Sequence, residues 1–219
     1  MRSGQDISRG LSGTPGVASH LRPTLERIAR YYDQRKVGDV GPLGFRRSTD
    51  LGVLTACLDR LIGEGIIVPG ETRFLDLGCA DGRVNVLLSS LVRMSVGIEV
   101  DDWILDDFEP LKRRLFDTLR REGLQPIPDN VRLFHADSTD EAAHESIRKE
   151  TGISFEEFDL FYTYLIMHEE FARLVARKAR KGAFYLVYGV NRVLPRYEGL
   201  SLMDAISPLE GILAVYRKP

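Results

Sequence analysis

Cysteine is scarce in this chain: among 219 residues only Cys57 and Cys79 occur. Two thiols cannot supply a four-ligand structural zinc site, and no metal is expected. An excess of one charge is missing too. Thirty Lys and Arg face 32 Asp and Glu, leaving a net charge of -2, so nothing draws the whole molecule toward phosphate backbones. Any basic partner-binding face must be local, and nucleic acid is neither indicated nor excluded. Long apolar runs are absent as well. Each is interrupted well before the roughly 18 to 20 residues that span a bilayer, so no membrane partner is expected. Nothing at the N-terminus reads as a charged-then-apolar leader, which predicts a soluble, cytoplasmic protein. With 43% hydrophobic residues the chain can bury one substantial core, the content of a single domain plus an extension.

What is present follows an order. Residues 1–19 mix Gly, Ser, Arg and Pro without apolar periodicity and read as a flexible tail. Leu21, Leu25, Ile28, Ala29 and Tyr32 recur at helical spacing, predicting an amphipathic helix within an N-terminal extension over 20–44. "GDVGPLGFRRSTD" then reads as a loop whose Ser48, Thr49 or Asp50 can cap the next helix, "LGVLTACLDRLIGEG". From 45 to 219 lies the main domain. After Pro69-Gly70 short apolar runs alternate with helical patterns: "RFLDLG", "MSVGIEV", "NVRLFHAD", "FDLFYTYLI" and "AFYLVYG" read as strands, with a helix after each of the first four. Pro110 is expected to kink or restart the second of these helices. Such alternation implies an α/β fold, a parallel sheet wrapped by helices. The final pair, "LSLMDAIS" and "GILAVYRK", is separated only by "PLE", too short for a parallel crossover, and predicts an antiparallel hairpin.

The stretch "FLDLGCADGR" carries the chemistry. Its strand ends at Leu77, so "GCADG" lies at the carboxyl edge of the sheet, where open parallel sheets bind ligands. The small turn Gly78, Cys79, Ala80 and Gly82 lets a ligand approach the backbone. A dinucleotide fingerprint fails, because Ala80 and Arg83 occupy its second and third glycine positions; a phosphate loop fails for want of a following Gly-Lys-Ser/Thr. What remains is a pair of acids, Asp76 on the first strand and Glu99 at the end of the second, 99 − 76 = 23 residues on. A carboxylate at a strand tip can accept both hydroxyls of a ribose, each charged hydrogen bond contributing on the order of 1.5–3 kcal/mol. Asp76 can serve a cationic part of the same ligand, directly or by fixing the turn.

With "FLDLGCADG" as first motif, "GIEVDD" as second and "FHADSTD" as third, the sequence resembles the class I S-adenosylmethionine-dependent methyltransferases over roughly residues 45–219. The resemblance implies a Rossmann-like, seven-stranded, mostly parallel sheet with helices on both faces and an antiparallel C-terminal strand. It implies S-adenosylmethionine as cofactor, with Asp76 and the turn from Gly78 through Cys79 and Ala80 to Gly82 holding the methionine part and Glu99 the ribose. Val100 would lie against adenine, and Ala136 and Asp137 would meet its amino edge. "GFRRSTD", "FLDLGCADGR" and "FDLFYTYLIMHEEF" further resemble a small subgroup related to protein-lysine methyltransferases, which would bring Ser48 and Thr49 near the carboxylate end of the cofactor. Here Ser48-Thr49 follows two arginines, where that subgroup usually carries Pro-Thr.

The fourth strand end, "LFYTYLIMHEE", is where an acceptor would meet the methyl group; Tyr162, Tyr164 and His168 are the catalytic candidates, and Tyr162 also borders the cofactor. Aromatic faces there suit an amine acceptor. The Asn-Pro-Pro-aromatic tetrapeptide of many DNA methyltransferases is absent, which disfavours a nucleobase nitrogen. The acceptor is unidentified: protein lysine first, then a small-molecule amine or hydroxyl, selected by the extension, residues 41–50 and the segment holding Arg192, Arg196 and Tyr197. Plainer roles stand beside these. Asp137 can cap the next helix, Tyr162 or Tyr164 can be core, His168 can simply open a helix, and Arg173, Arg177, Lys178, Arg180 and Lys181 read as a solvated helix end. A catalytically silent subunit acting through protein contacts and a nicotinamide oxidoreductase are the competing classes.

Overall fold

The computed structural model describes residues 15–35, 40–41, 44–45, 48–190 and 193–219. Helix α1 (Arg22–Asp33) turns Leu25, Ile28, Ala29 and Tyr32 inward at the expected spacing. Val40–Gly41 (β1) and Gly44–Phe45 (β2) pair as a minimal hairpin inside what the sequence predicts to be loop. Two-residue strands carry no periodicity for sequence reasoning to detect. Helix α2 (Leu51–Gly63) is capped by Asp50, the last of the three candidates, whose Oδ1 accepts from the Val53 amide at 2.9 Å. Then follow β3 (Arg73–Leu77), α3 (Arg83–Leu88), β4 (Met94–Glu99), α4 (Asp102–Leu105), α5 (Phe108–Arg121), β5 (Val131–His135), α6 (Glu141–Thr151), β6 (Leu160–Tyr164), α7 (His168–Lys178), β7 (Phe184–Tyr188), β8 (Ser201–Leu202) and β9 (Leu213–Arg217). The chain does restart at Pro110: α4 and α5 are separate, and Pro110 sits in the first turn of α5, where a missing N–H breaks no helical bond.

The seven strands run in the order β5-β4-β3-β6-β7-β9-β8. β5, β4, β3, β6 and β7 are mutually parallel; β9 lies antiparallel to β7 and to β8. The C-terminal hairpin is looser than predicted, since β8 spans two residues and residues 203–212 connect it to β9. Strand order reverses at β3, whose neighbours β4 and β6 leave in opposite directions, so a crevice opens beyond their carboxyl ends. Helices cover both faces. Side chains of α1, α2, α3 and α5 form one core with Phe74, Leu160 and Tyr162, while α6 and α7 pack on Leu75, Leu77 and Phe161 on the other. The alternation along β3 thus sends Asp76 to the same side as Phe74. The expected tail of 1–19 is described only from residue 15; there Val17 is buried and its amide donates to Asp59 Oδ1 at 2.8 Å.

Candidate functional site

A cavity of about 280 Å³ opens at the carboxyl ends of β3, β4 and β6. Its floor is the turn after β3. The amides of Gly78 and Cys79 both donate to the carbonyl of Ile98 (2.9 and 2.8 Å), folding the turn back onto β4. Gly78 has φ +92°, and a Cβ added there would meet nothing within 4 Å, so its bare backbone faces open space. Ala80 holds a left-handed φ of +48° and donates its N–H to Glu99 Oε2 at 2.8 Å. Glu99 Oε1 accepts from the amides of Val100 (3.0 Å) and Asp101 (3.1 Å), which fixes the carboxylate at the cavity wall. Cys79 is packing: its side chain lies against Gly97, which has no Cβ to displace it, and burial drives the thiol's pKa up. Gly82 does not line the cavity. At φ +72° it begins α3, and a Cβ would fall 2.7 Å from Leu133 Cδ1.

Charge is concentrated beside this turn. Asp76 is 2% exposed, lines the cavity, and its Oδ1 is buried with no hydrogen-bond partner among the described residues. Burial, then the nearby Glu99 and Asp81, push its pKa well above the usual carboxylate range. Asp81 and Arg83 form a buried two-point ion pair, Nε to Oδ1 at 2.9 Å and Nη2 to Oδ2 at 3.0 Å. Arg83 Nη1 reaches Ser48 Oγ at 3.0 Å. Next to Ser48, Thr49 Oγ1 and the Tyr162 hydroxyl are 2.5 Å apart, so the segment before α2 is tied across to β6. Burial raises the Tyr162 phenol's pKa, against the lowering effect of the Thr49 bond.

The remaining walls divide into two sides. On one stand Val100, 59% exposed, with Ala136, Asp137 and Ser138. Asp137 Oδ1 accepts from the amide (2.8 Å) and hydroxyl (2.7 Å) of Thr139, which lowers its pKa; Asp140, not Asp137, caps α6 through the Ala142 amide. His144 Nε2 lies 2.9 Å from the Ser138 carbonyl and holds that wall from behind. On the other side are Thr163, Tyr164, Ile166, Met167 and Phe171. Tyr164 stacks obliquely near Tyr188, with ring centres 5.8 Å apart. Met167 is half exposed at φ +53°, an uncommon backbone for a side chain of its size. His168 opens α7 but does not line the cavity; its Nδ1 is 2.5 Å from the Tyr197 hydroxyl. Arg196 pairs with Asp204 at 3.0 Å, and Arg192 lies outside the described residues. The cavity therefore gathers Thr49, Asp76, Gly78, Cys79, Ala80, Glu99, Val100, Ala136, Asp137, Tyr162 and Tyr164, leaving out Gly82 and His168. Sequence reasoning missed Arg83 as a wall residue, treating it only as a misplaced third glycine.

Among the described residues no helix is long and apolar enough to cross a membrane, and no group of three or more His, Cys, Asp or Glu is placed to hold a metal. No family model matches the sequence, and no curated protein matches it. Solved structures do. An RNA methyltransferase from Salinibacter ruber, in complex with S-adenosyl-L-homocysteine, is 16% identical, with 80% of this chain and 94% of that one covered at a TM-score of 0.50. A tRNA (m1A58) methyltransferase from Aquifex aeolicus is 15% identical, with 90% and 76% covered at a TM-score of 0.51. The chain has the Rossmann-like fold of the class I S-adenosylmethionine-dependent methyltransferases.

Proposed function

We propose that this protein binds S-adenosylmethionine in the cavity beyond β3 and transfers its methyl group to an acceptor, protein lysine first and a small-molecule amine or hydroxyl next. The observation that carries the reading is Asp76: a cavity-lining carboxylate beside an open Gly78 backbone, with one buried oxygen that has no partner among the described residues. An unpaired buried acceptor is costly, and a ligand ammonium removes that cost. Glu99, already oriented by three backbone amides, supports ribose recognition at the β4 tip, and Val100, Ala136 and Asp137 make the adenine wall. When bound, the cofactor supplies a methyl on a sulfonium, and the protein has only to align a nucleophile and exclude water.

Tyr162 and Tyr164, on the same side of β6, border the acceptor end; Tyr162 is anchored by Thr49, and Tyr164 presents a ring that can face an amine. His168 turns to Tyr197, so its part in the reading is to position the start of α7. The domain division follows: residues 45–219 carry the methyltransferase site and 20–44 extend it. The test is transfer of radiolabelled methyl from S-adenosylmethionine to lysine-containing proteins and to small amines. Label on a lysine is the expected result. A chain that binds S-adenosylhomocysteine but labels nothing, alone or with copurifying proteins, would sink the catalytic part and leave the silent subunit.

A further inference from the structure

Arg83 has no task in that reading, yet it is a tightly held charged side chain of the cavity wall. A guanidinium has five N–H groups in one plane. In Arg83 one Nε and one Nη2 hydrogen are committed to Asp81 and one Nη1 hydrogen to Ser48, which leaves two N–H donors with no partner among the described residues. The fork on buried Asp81 fixes the plane. The ring of Tyr32, fully buried in the last turn of α1, lies 5.7 Å from Cζ, close enough for a cation–π contact. The neighbouring Asp33 accepts from the amides of Leu51 and Gly52, both at 2.9 Å, so α1 also grips the start of α2 and with it Ser48 and Thr49. Resting on the S-adenosylmethionine reading, we propose that Arg83, backed by Tyr32 and aided by Ser48, receives the carboxylate of the cofactor's amino-acid end, and that the N-terminal helix is thereby part of the cofactor site. A zwitterionic end then finds both counterparts on one cavity, Asp76 for its ammonium and the two spare N–H groups for its carboxylate. Because Asp81 cancels the charge of Arg83, recognition depends on directional N–H donors, which lysine does not reproduce.

Two ligands separate this from a general loss of binding: S-adenosylhomocysteine, and 5′-methylthioadenosine, which has the same nucleoside and thioether but no amino-acid end. Calorimetric titration of the wild-type chain is expected to show S-adenosylhomocysteine bound much more tightly. In the double variant Asp81→Asn with Arg83→Gln, which leaves no orphaned buried charge, affinity for S-adenosylhomocysteine should fall about ten- to a hundredfold while methylthioadenosine stays within about twofold. Arg83→Lys, which keeps the ion pair, must show the same selective loss, so the inference is tested even where the double variant does not fold. Tyr32→Leu should narrow the gap and Tyr32→Phe keep it, since the Tyr32 hydroxyl has no partner among the described residues. Parallel loss of both ligands, or no loss of S-adenosylhomocysteine, overturns the role of Arg83; an unchanged gap in Tyr32→Leu overturns that of α1. A wild-type chain that binds both ligands equally defeats this inference alone, whereas one that binds neither defeats the cofactor reading beneath it.

Discussion

At the scale of single residues the site works against itself. Asp76 Oδ1 gives up water without gaining a partner among the described residues, and Glu99 and Asp81 lie close enough to add to the cost of ionising the acid. The folded state therefore favours the protonated acid. A carboxyl group whose folded pKa is raised contributes stability below its unfolded value, near ~3.9, and that contribution is lost as pH climbs through the folded value. Asp76→Asn cannot lose a proton, so its melting temperature should match the wild type near pH 4 and exceed it by a widening margin toward pH 7, while S-adenosylhomocysteine binding falls. Thermal unfolding across that range checks it; a variant less stable than wild type at pH 7 would show that Asp76 holds the turn together. In the sequence Asp76 and Glu99 were legible as cavity residues because acids at strand tips have no packing use. Arg83 was not, because its placement on the wall is set by Asp81 and Tyr32, one of which comes from a helix some fifty residues away.

Among elements, the turn joining β3 to α3 uses its glycines differently. Gly78 faces open space, whereas Gly82 gives room to the protein: a Cβ at Gly82 would fall under 3.0 Å from side-chain atoms of Leu133 and Phe108. Gly82→Ala should cost at least about 2 kcal/mol, from the left-handed backbone and the forced repacking together. Gly78→Ala should lose about 1 kcal/mol through backbone alone yet weaken ligand binding more than Gly82→Ala does. Urea unfolding beside a binding titration separates the two, and equal stability loss would contradict the assignment. Both glycines read alike in "GCADG", since the sequence does not show what stands behind a turn. The strands and their order of types were readable from apolar runs of four to six residues, and the Pro110 restart from its missing N–H. The β1–β2 hairpin and the ten-residue connection before β9 were not, because neither has a repeating pattern.

On the scale of the whole molecule, the extension is no separate module. Leu25, Ile28, Ala29 and Tyr32 share a core with α2, α3 and α5, and Arg27 pairs with Glu122 at 2.8 Å at the far end of α5. Sequence reasoning gave the extension to acceptor selection because no substrate domain is inserted in the main domain; the contact with Arg83 appears only when α1 is packed. The topology instead gathers the small turn, the two acids and the tyrosines at one edge, by reversing strand order at β3. That gathering also argues against a nicotinamide enzyme, since the place of the third glycine holds an arginine forked onto Asp81. The central claim is cofactor binding at this edge, and titration of the chain with S-adenosylhomocysteine, with Glu99→Ala beside it, tests it most directly. The account predicts saturable one-to-one binding that the substitution weakens by about 1.5–3 kcal/mol. A folded chain giving no binding heat, or a Glu99→Ala protein that binds as tightly as wild type, would contradict it.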